Sequence, residues 1–461
     1  MRNLLLPFII ILSFFSCNKE SFTTNSDAFI RTDTDTLHFD TVFTSTGSAS
    51  QVFKIFNDNN KGLKIQSIQL AGGASSPFKM NVDGIAGVQT SNVEIAANDS
   101  AYVFITVTIN PTASNLPFII RDSIQINYNG NTKWVQLDAF GQNAHFLRNK
   151  NITANETWTN DLPYVIVEGL QVKPGVTLTI NEGCKIYMHA DAPFIVEGSL
   201  HVNGDKWDST RVVFSGDRLD EPYRDFPASF PGIIFTETSQ DNILHYAIIK
   251  NAYQGIVSIE KGSGTKLSLQ ETIIDNAYDA GILGVNTSID ARNVLISNCG
   301  KNLVLVKGGD YHFTHSTVVA YSNNFIQHKE PLVLVTNYLK DGNNVVANPL
   351  TASFTNCIFW AESGLVENEI VIAKDGNTDY SVSFNNVLWP LKTNPTNATV
   401  SDILNADPQF DMISISERQF NFRLKETSPA IDAGKATSVS VDLDGKNRPV
   451  NLPDLGAYEK D

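Results

Sequence analysis

The sequence of 461 residues predicts an all-β protein in which a β-sandwich is followed by a right-handed parallel β-helix. Before residue 143, apolar and polar residues alternate with period two in runs separated by turn residues. After residue 143, the apolar runs shorten and single glycines separate them. From residue 247, apolar triplets recur, at first every 22–25 residues. Alternation is typical of half-buried strands, and a period in the low twenties indicates stacked coils.

Composition and charge exclude several classes of protein. With 42% apolar and 18% charged residues, the chain has a globular composition and not a disordered or fibrous one. The formal net charge of −15 argues against a nucleic-acid partner, because binding to phosphates depends on Lys and Arg. It also disfavours attraction to acidic lipid or acidic polysaccharide, unless a local basic patch overrides the average.

Residues 1–16 have the pattern of a signal peptide. Arg2 precedes the apolar segment LLLPFIIILSFF, which is shorter than the roughly 20 residues of a membrane-spanning helix. Ser16 before Cys17 resembles a bacterial lipobox, although Phe14 stands where leucine is usual. The resemblance implies cleavage before Cys17 and acylation of this cysteine, which would anchor the protein to a membrane. The alternative is an ordinary secreted protein in which Cys17 has no such role.

The segment 17–33 is polar and lacks periodicity, which predicts a tether between the lipid and the fold. It begins with NKE at 18–20, which resembles the signals that send Bacteroidota lipoproteins to the cell surface. This resemblance implies a protein of the outer membrane or the cell surface.

Residues 34–142 are predicted to form an immunoglobulin-like β-sandwich. Seven alternating runs lie between turn signals such as NDNNKG (57–62) and YNGN (128–131). The Cys–Trp–Cys signature of antibody domains is absent from the sequence. The domain resembles the Ig-like modules that precede other domains in Bacteroidota surface proteins, which implies a spacer or docking unit.

Residues 143–461 are predicted to form the β-helix. Short runs joined by single glycines, from 165 to 216, resemble the opening coils of right-handed parallel β-helices. Longer intervals around 329–350 and 361–380 are expected to hold ejected loops or an extra coil. Alignment of the later triplets predicts a stack of inward-facing central residues at Ile248, Ile273, Leu295, Val318, Ile358 and Leu388.

An asparagine follows three of these triplets at the same distance, at Asn251, Asn276 and Asn298. Stacked coils place such side chains about 4.8 Å apart, so each amide can donate a hydrogen bond to the next carbonyl. Asparagine also tolerates the left-handed backbone of a tight bend. The sequence therefore predicts a structural asparagine ladder, and the alternative is an asparagine-lined binding site. Tyr253 and Tyr278 repeat in the same way and are expected to stack.

The chain ends with SPAIDAG (428–434), DLDGKNRP (442–449) and DLGAYE (454–459). This ending resembles that of Bacteroidota lipoproteins whose right-handed parallel β-helix is similar in fold to pectate lyases. The resemblance covers residues 143–461, about two-thirds of the chain. Because a coil end exposes strand edges and core, the C-terminal segment is expected to cap it.

The resemblance to pectate lyases raises the question of polysaccharide cleavage. Lyases of this type need clustered acids that bind a cation and a basic residue that removes a proton, and hydrolases need two positioned carboxylates. The sequence shows neither set at coil spacing on one outward face. We therefore predict no catalytic residues.

The insert at 215–232 is the main candidate for ligand contact. It is too long for a coil bend and concentrates charges and an aromatic side chain, as functional loops on rigid scaffolds do. The alternative is a salt-bridged loop that covers the side of the helix. The candidate residues are Asp217, Arg218, Asp220, Tyr223, Arg224 and Asp225.

Two residue pairs resemble metal sites in part. His312 and His315 are three apart on a predicted strand and point to opposite faces, which disfavours a shared zinc ion. Asp442 and Asp444 resemble half of a calcium loop, and the alternative is an Asp–Gly turn bonded to the backbone. Calcium is the one cofactor that the sequence suggests.

The other cysteines, Cys184, Cys299 and Cys357, lack the spacing of a zinc site and are predicted to be buried as small hydrophobic residues.

These features predict a lipid-anchored, non-catalytic protein of the cell envelope that binds a glycan or an envelope protein along its β-helix. One alternative is a polysaccharide lyase or glycoside hydrolase acting on an acidic polysaccharide. Another is a purely architectural surface protein.

Overall fold

The computed structural model describes residues 21–44, 47–110, 118–260, 262, 264–342, 344–362, 366–449 and 452–460. The fold is all-β, as predicted, with two small sheets followed by a 23-stranded, parallel one. The chain divides into the compact units Met1–Gln142 and Asn143–Asp461, at the residue where the sequence changes its pattern. The predicted signal peptide and Cys17 lie outside the described residues. In the described part of the chain, no helix is long and apolar enough to cross a membrane.

The first unit is a β-sandwich. Its described strands are β1 (Phe22–Thr23), β2 (Arg31–Thr32), β3 (Thr36–Phe43), β4 (Gln51–Asn57), β5 (Gly62–Leu70), β6 (Phe78–Val82), β7 (Ile85–Gly87), β8 (Gln89–Ile95), β9 (Asp99–Val107), β10 (Phe118–Tyr128) and β11 (Asn131–Gln142). One sheet has the order β1-β5-β10-β11-β3, with β8 also paired to β5, and the other has the order β2-β4-β9-β6-β7. A 3-10 helix, Gly73–Ser75, lies between β5 and β6.

Period-two alternation produces the core of the sandwich. On β4, Phe53 and Ile55 are fully buried, and Val103 and Ala101 on β9 are buried opposite them in the same sheet. The seven predicted runs all correspond to strands. The prediction missed β6, whose five residues place Lys79 outside between buried Phe78 and Met80. Such a short run carries too little alternation to be recognised.

The predicted tether is only partly a tether. Phe22–Thr23 pairs with β5, Arg31–Thr32 pairs with β4, and Ala28 and Ile30 are buried. Asn129 donates hydrogen bonds of 3.0 Å to the carbonyls of residues 23 and 25. The described part of segment 17–33 therefore belongs to the sandwich, because its backbone pairs and its few apolar residues reach the core.

The second unit is a parallel β-helix. Its first described strands are β12 (His145–Ile152), β13 (Glu156–Trp158), β14 (Tyr164–Val172), β15 (Thr177–Asn181), β16 (Lys185–Met188), β17 (Phe194–Val196), β18 (Ser199–Asn203), β19 (Val212–Gly216), β20 (Ile233–Phe235), β21 (Asn242–His245), β22 (Ala247–Lys250), β23 (Gln254–Ile259), β24 (Leu267–Gln270), β25 (Ile273–Asp275) and β26 (Ala280–Arg292). The others are β27 (Leu295–Ser297), β28 (Lys301–Thr314), β29 (Thr317–Ala320), β30 (Val333–Thr336), β31 (Tyr338–Asp341), β32 (Asn344–Ala347), β33 (Leu350–Ala361), β34 (Ile370–Ala373), β35 (Tyr380–Leu388), β36 (Thr399–Leu404), β37 (Phe410–Ser414) and β38 (Gln419–Leu424).

Each coil contributes to three faces. Face 1 contains β16, β19, β22, β25, β27, β29 and the end of β33. Face 2 contains β17, β20, β23, β30, β34 and the starts of β26 and β28. Face 3 contains β15, β18, β21, β24, β36, the ends of β26 and β28, and the starts of β33 and β35. The ejected segment 337–348 contains the antiparallel hairpin of β31 and β32.

The predicted stack of inward residues is wrong by one position. Ile248 and Ile273 point outward and are half-buried, whereas Ile249 and Ile274 fill the core and are fully buried. Val318 is the exception: it faces inward, as predicted, and pairs with buried Ile296, whereas Thr317 pairs with Leu295. A triplet with three apolar residues gives no alternation from which to choose the inner one.

The outward residues of face 1 are apolar because the C-terminal segment covers them. Leu295, Ile358 and Leu388 form a second cluster with residues from 410–458, including Phe422 and Tyr458. The segment was expected to cap the coil end, and this expectation is wrong. It lies along the side of the helix, where the apolar outer row supplies a surface to bury.

Candidate functional site

The contact loop predicted at 215–232 spans residues 217–232 in the structure and replaces the bend between β19 and β20. It contains a 3-10 helix, Tyr223–Asp225, and folds over the bends of the next two coils. The Asn251 side chain donates to the carbonyl of Arg224 (2.8 Å), and the Asn276 side chain donates to the carbonyl of Asp225 (3.0 Å). The asparagine ladder therefore holds the loop, and two features that the sequence analysis treated separately form one site.

The ladder itself has the geometry that was expected at its first step. The side-chain NH2 of Asn276 donates to the side-chain amide oxygen of Asn251 at 2.8 Å. Asn251, Asn276 and Asn298 all have left-handed backbones, with φ of 65°, 56° and 52°. At the third position the Asn298 oxygen instead accepts the backbone N–H of Tyr321 at 3.0 Å. The ladder therefore has one step, between Asn251 and Asn276, and Asn298 binds the backbone of another segment instead.

Two further segments complete the walls of the site. Phe325, in the connection between β29 and β30, packs on Phe226 of the loop, with ring centroids 4.8 Å apart. Arg418, between β37 and β38, forms an ion pair with Asp225 at 3.4 Å and lies 5.0 Å from the Phe325 ring centroid. These contacts join the loop to the far side of the bend, so the three asparagines lie between two walls.

A cleft of about 340 Å³ lies between these walls. Lys250 and Asp275, the outward residues that end β22 and β25, form part of its lining, and they are paired in register. A neighbouring cleft of about 560 Å³ shares Arg224, Asp225 and Lys250 and extends to Lys185. The two clefts are lined by four cations, Lys185, Arg224, Lys250 and Arg418, and three carboxylates, Asp225, Asp275 and Glu417. In a chain of net charge −15, this is a locally basic surface.

The polar groups of the cleft are incompletely paired. The side-chain ammonium of Lys250 forms no hydrogen bond or ion pair with any residue that the structure describes. The side-chain amide oxygen of Asn276 is buried and accepts no hydrogen bond from the described residues. Burial raises the pKa of Asp275, whereas a 2.6 Å hydrogen bond from Ser297 and the charge of Lys250 act in the opposite direction. Buried groups without partners are unfavourable in an isolated fold and are satisfied when a ligand supplies hydrogen bonds.

The six predicted loop residues have different roles. Asp217 binds His189 at 2.7 Å, outside the cleft. Arg218 forms a pair with Asp220 at 2.7 Å and stacks over Tyr223 at 4.0 Å, and this pair raises the Arg218 pKa. These residues hold the shape of the loop. Only Arg224 and Asp225 line the cleft.

The predicted tyrosine pair is present beside this site. Tyr253 and Tyr278 lie two residues beyond Asn251 and Asn276, and their rings are 5.8 Å apart with an interplanar angle of 27°. Both are about half exposed, at 46% and 53%. They therefore present a flat apolar surface to solvent next to a polar cleft.

A larger hollow of about 690 Å³ lies between residues 366–372 and 390–396. Its lining includes Glu369, which is paired with buried His328 at 3.0 Å, and also Glu367 and Lys392. Volume favours this hollow, whereas the buried, unpaired amide oxygen of Asn276 favours the cleft.

The two histidines of GGDYHFTHS are far from equivalent. Tyr311 and Phe313 are buried and His312 is exposed, as predicted. His315 lies at a bend with φ of 50°, and burial lowers its pKa to about 3. It donates to the carbonyl of Asp454 at 3.2 Å and accepts from Asn356 at 3.0 Å, which makes it a structural residue.

The carboxylates of the candidate calcium pair, Asp442 and Asp444, already accept hydrogen bonds from the protein. Asp442 accepts the backbone N–H groups of Asp444, Lys446 and Glu459, at 2.7–2.9 Å. Asp444 receives two hydrogen bonds of 2.7 Å from Arg423. These two carboxylates do not fit a calcium site, because a cation next to Arg423 is repelled and the turn already uses their oxygens. Among the described residues, no group of three or more His, Cys, Asp or Glu could hold a metal ion.

The three cysteines of the described residues, Cys184, Cys299 and Cys357, are free and buried, as predicted. Burial raises the pKa of the Cys184 thiol to about 11 and that of Cys357 to about 12, so they are unreactive.

Sequence reasoning missed Lys250, Asp275, Phe325 and Arg418 as site residues. A signal for the first two exists, because they occupy the same repeat position with opposite charges, whereas the asparagine after each is kept. Arg418 and Phe325 carry no such signal, since a fold is needed to bring them to the bend.

Comparisons with known proteins add little. No family model matches the chain. No curated protein matches it either. Solved structures similar in part include a family 123 glycoside hydrolase from Clostridium perfringens (11% identity, 25% of this chain and 26% of that one, TM-score 0.18). Others are the human CEP192 PapD-like domain 7 (9%, 31% and 97%, TM-score 0.18) and a Porphyromonas gingivalis W83 protein of unknown function (8%, 27% and 60%, TM-score 0.18). The chain spans about a quarter of the first, and likenesses this weak carry no argument.

Proposed function

We propose that this protein is a lipid-anchored component of the cell envelope whose β-helix binds a glycan in the cleft above the asparagine bend. The observation that supports the proposal best is the set of unpaired polar groups in the cleft, above all the free ammonium of Lys250. Ionic and amide groups that lack partners in the fold are suited to the hydroxyl and acid groups of a sugar.

The chemistry around the cleft favours a sugar over an apolar ligand. The lining contains amides, carboxylates and cations, which together can donate to and accept from hydroxyl groups. Tyr253 and Tyr278 provide an exposed, stacked surface beside it, on which the apolar face of a pyranose can rest. The rigid β-helix supports these groups, so little order is lost on binding.

The location of the protein in the cell is part of the same proposal. The signal-peptide pattern, Ser16–Cys17 and NKE support lipidation at Cys17 and a place in the outer membrane or at the cell surface of a Bacteroidota host. The C-terminal sequences support membership of the β-helix lipoproteins that resemble pectate lyases in fold. The Ig-like sandwich then serves as a spacer or as a docking unit for an envelope protein.

Cleavage of the bound glycan is a second candidate. Asp225 and Asp275 line one cleft, and burial raises the pKa of Asp275. Glycoside hydrolases use one protonated and one ionised carboxyl group in this way.

The test is retention on an array of acidic and neutral oligosaccharides, with a soluble form that begins after Cys17. We expect wild type to be retained and Lys250→Ala to lose at least tenfold in affinity. Lys64→Ala, which changes an exposed lysine of the sandwich, is the matched control and should bind as wild type does. Retention of no glycan would contradict the binding proposal and favour an architectural role. New reducing ends or unsaturated products would establish cleavage.

The anchor is tested separately. Metabolic labelling with a palmitate analogue should mark the full chain and fail on Cys17→Ala, and equal labelling of both would contradict lipidation.

A further inference from the structure

A serine, a histidine and an aspartate are hydrogen-bonded in series on face 3, away from the cleft. His312 on β28 pairs in register with Ser353 on β33, and the His312 Nδ1 atom lies 2.7 Å from the Ser353 hydroxyl. The other ring nitrogen, Nε2, lies 3.2 Å from a carboxylate oxygen of Asp310. All three side chains point outward, because residues two apart on one strand and paired residues of adjacent strands share a face.

The contacts fix the roles of the two ring nitrogens. Because the Asp310 carboxylate can only accept a hydrogen bond, the Nε2 atom of His312 carries the proton of this bond. Nδ1 is then the acceptor of the neutral ring and receives the hydrogen bond of the Ser353 hydroxyl. A nucleophile bound to a base that is oriented by a carboxylate is the arrangement that activates serine in acyl transfer.

We propose that Ser353, His312 and Asp310 form a site that hydrolyses esters of small carboxylic acids. Ser353 and His312 act as catalytic residues, and Asp310 is a positioning residue. The inference does not depend on glycan binding in the cleft, which lies at the bend between faces 1 and 2.

The reaction needs only the ester and water. The Ser353 oxygen bonds to the ester carbonyl carbon while its proton moves to His312 Nδ1. The tetrahedral intermediate expels the alcohol, which takes that proton, and leaves an acyl-serine. Water then adds to the acyl carbon, gives a proton to His312, and the carboxylic acid leaves as the proton returns to Ser353.

The surroundings indicate the class of ester. The side chains of His312 and Asp310 are 49% and 48% exposed, so the site is open to a bulky alcohol. An open sheet surface gives a long acyl chain no apolar pocket, which favours an acetyl group carried on a sugar or another large alcohol. In this proposal the donor to the developing oxyanion is the hydroxyl of Ser383, which pairs in register with Ser353 on the next strand, about 4.8 Å away.

The primary experiment is labelling of the soluble protein with a fluorophosphonate probe, followed by mapping of the labelled peptide, together with hydrolysis of 4-nitrophenyl acetate. We expect the label on Ser353 and its loss, with hydrolysis, in Ser353→Ala. His312→Asn should slow labelling at least a hundredfold. Ser268→Ala, which changes an outward serine in the same row three strands from Ser353, is the matched control and should react as wild type does.

The role of Asp310 has its own readout. Asp310→Asn should lower kcat at least tenfold with KM and Tm unchanged, and Asp310→Glu should recover part of the loss. Ser383→Ala should reduce kcat less than Ser353→Ala does. Absence of label from Ser353 in wild type, or wild-type hydrolysis by Ser353→Ala, would overturn the proposal. These surface changes bury nothing new, and circular dichroism of each variant verifies the fold.

Discussion

Two bends of the β-helix share a left-handed backbone conformation, but one forms an open cleft and the other is covered. At the bend between faces 1 and 2, Asn251, Asn276 and Asn298 hold left-handed backbones. At the bend between faces 3 and 1, the stacked left-handed positions include Glu271, Asn293, His315, Asn356 and Asn386, with φ between 47° and 54°. The first bend lines an open cleft, and the second is closed by the chain's own C-terminal segment.

Closure of the second bend satisfies its polar groups. Asn293 donates to the carbonyl of Val441 at 2.7 Å, and Asn356 donates to that of Lys435 at 2.8 Å. Arg448 donates to Asn293 at 3.0 Å and forms an ion pair with Glu459 at 2.6 Å. The pair is almost fully buried, with side-chain exposures of 1% and 6%.

The first bend shows what remains when the chain does not cover such a row. Its loop uses two backbone carbonyls as partners and leaves Lys250 and the Asn276 oxygen unpaired. The bend residues alone therefore do not define a binding site. What decides is whether another part of the chain supplies the missing partners or leaves them for a ligand.

The largest expected effect is at the closed bend. Arg448→Ala should lower the free energy of unfolding by about 3–5 kcal/mol, because it leaves the Glu459 carboxylate buried without its partner. Urea unfolding measures the change. Arg148→Ala, which breaks an exposed pair with Glu168, should cost less than about 1 kcal/mol. Equal costs for the two variants would show that the C-terminal segment is not held by buried charge.

The pH dependence of stability tests the same bend through His315. Burial and the charge of Arg448 lower its pKa from 6.5 to about 3, so the folded state takes up its proton only at lower pH than the unfolded state. The contribution of His315 to stability is therefore full above pH 6.5 and falls as pH drops toward 3. His315→Asn should flatten this decline in urea midpoints between pH 7 and 4, whereas exposed His312→Asn should leave it unchanged. An unchanged slope in His315→Asn would contradict the assignment.

A smaller effect is expected at the open bend. Asn276→Ala removes the hydrogen bonds to Asn251 and to the carbonyl of Asp225, each worth about 1 kcal/mol. Proteolysis within the loop 217–232 should become faster, and unfolding of the whole unit should change by about 1–2 kcal/mol. Asn397→Ala, outside both bends, is the control for loss of an asparagine with positive φ. Unchanged proteolysis would show that the ladder does not hold the loop.

The smallest effect on stability is expected at Arg418. Its ion pair with Asp225 is partly exposed, so Arg418→Ala should change unfolding by less than about 1 kcal/mol. Because Arg418 joins the two walls of the cleft, the dissociation rate of a bound oligosaccharide should rise severalfold. Surface plasmon resonance measures that rate, and an unchanged value would exclude the wall contact from binding.

The sequence was sufficient for the architecture and for parts of the site. Alternation gave the sandwich strands, and the repeat gave the coils, the asparagine row and the tyrosine pair, since these depend on local periodicity. It was insufficient where distant segments meet. The choice between Ile273 and Ile274 as the inner residue is one such case, because the outer residue, Ile273, packs against the cluster that the C-terminal segment forms on face 1. Arg418 enters the cleft from 193 residues away from Asp225, and no local pattern encodes such a contact.

The contrast between an open and a closed bend is tested most directly by hydrogen–deuterium exchange with and without a mixture of uronic-acid and neutral oligosaccharides. We predict that the oligosaccharides slow exchange in the loop 217–232 and in residues 247–251. Exchange in residues 441–449 and 452–459 should not change. Slower exchange in the C-terminal segment instead would contradict this prediction. Unchanged exchange in both regions, with glycans that the protein retains, would contradict it too.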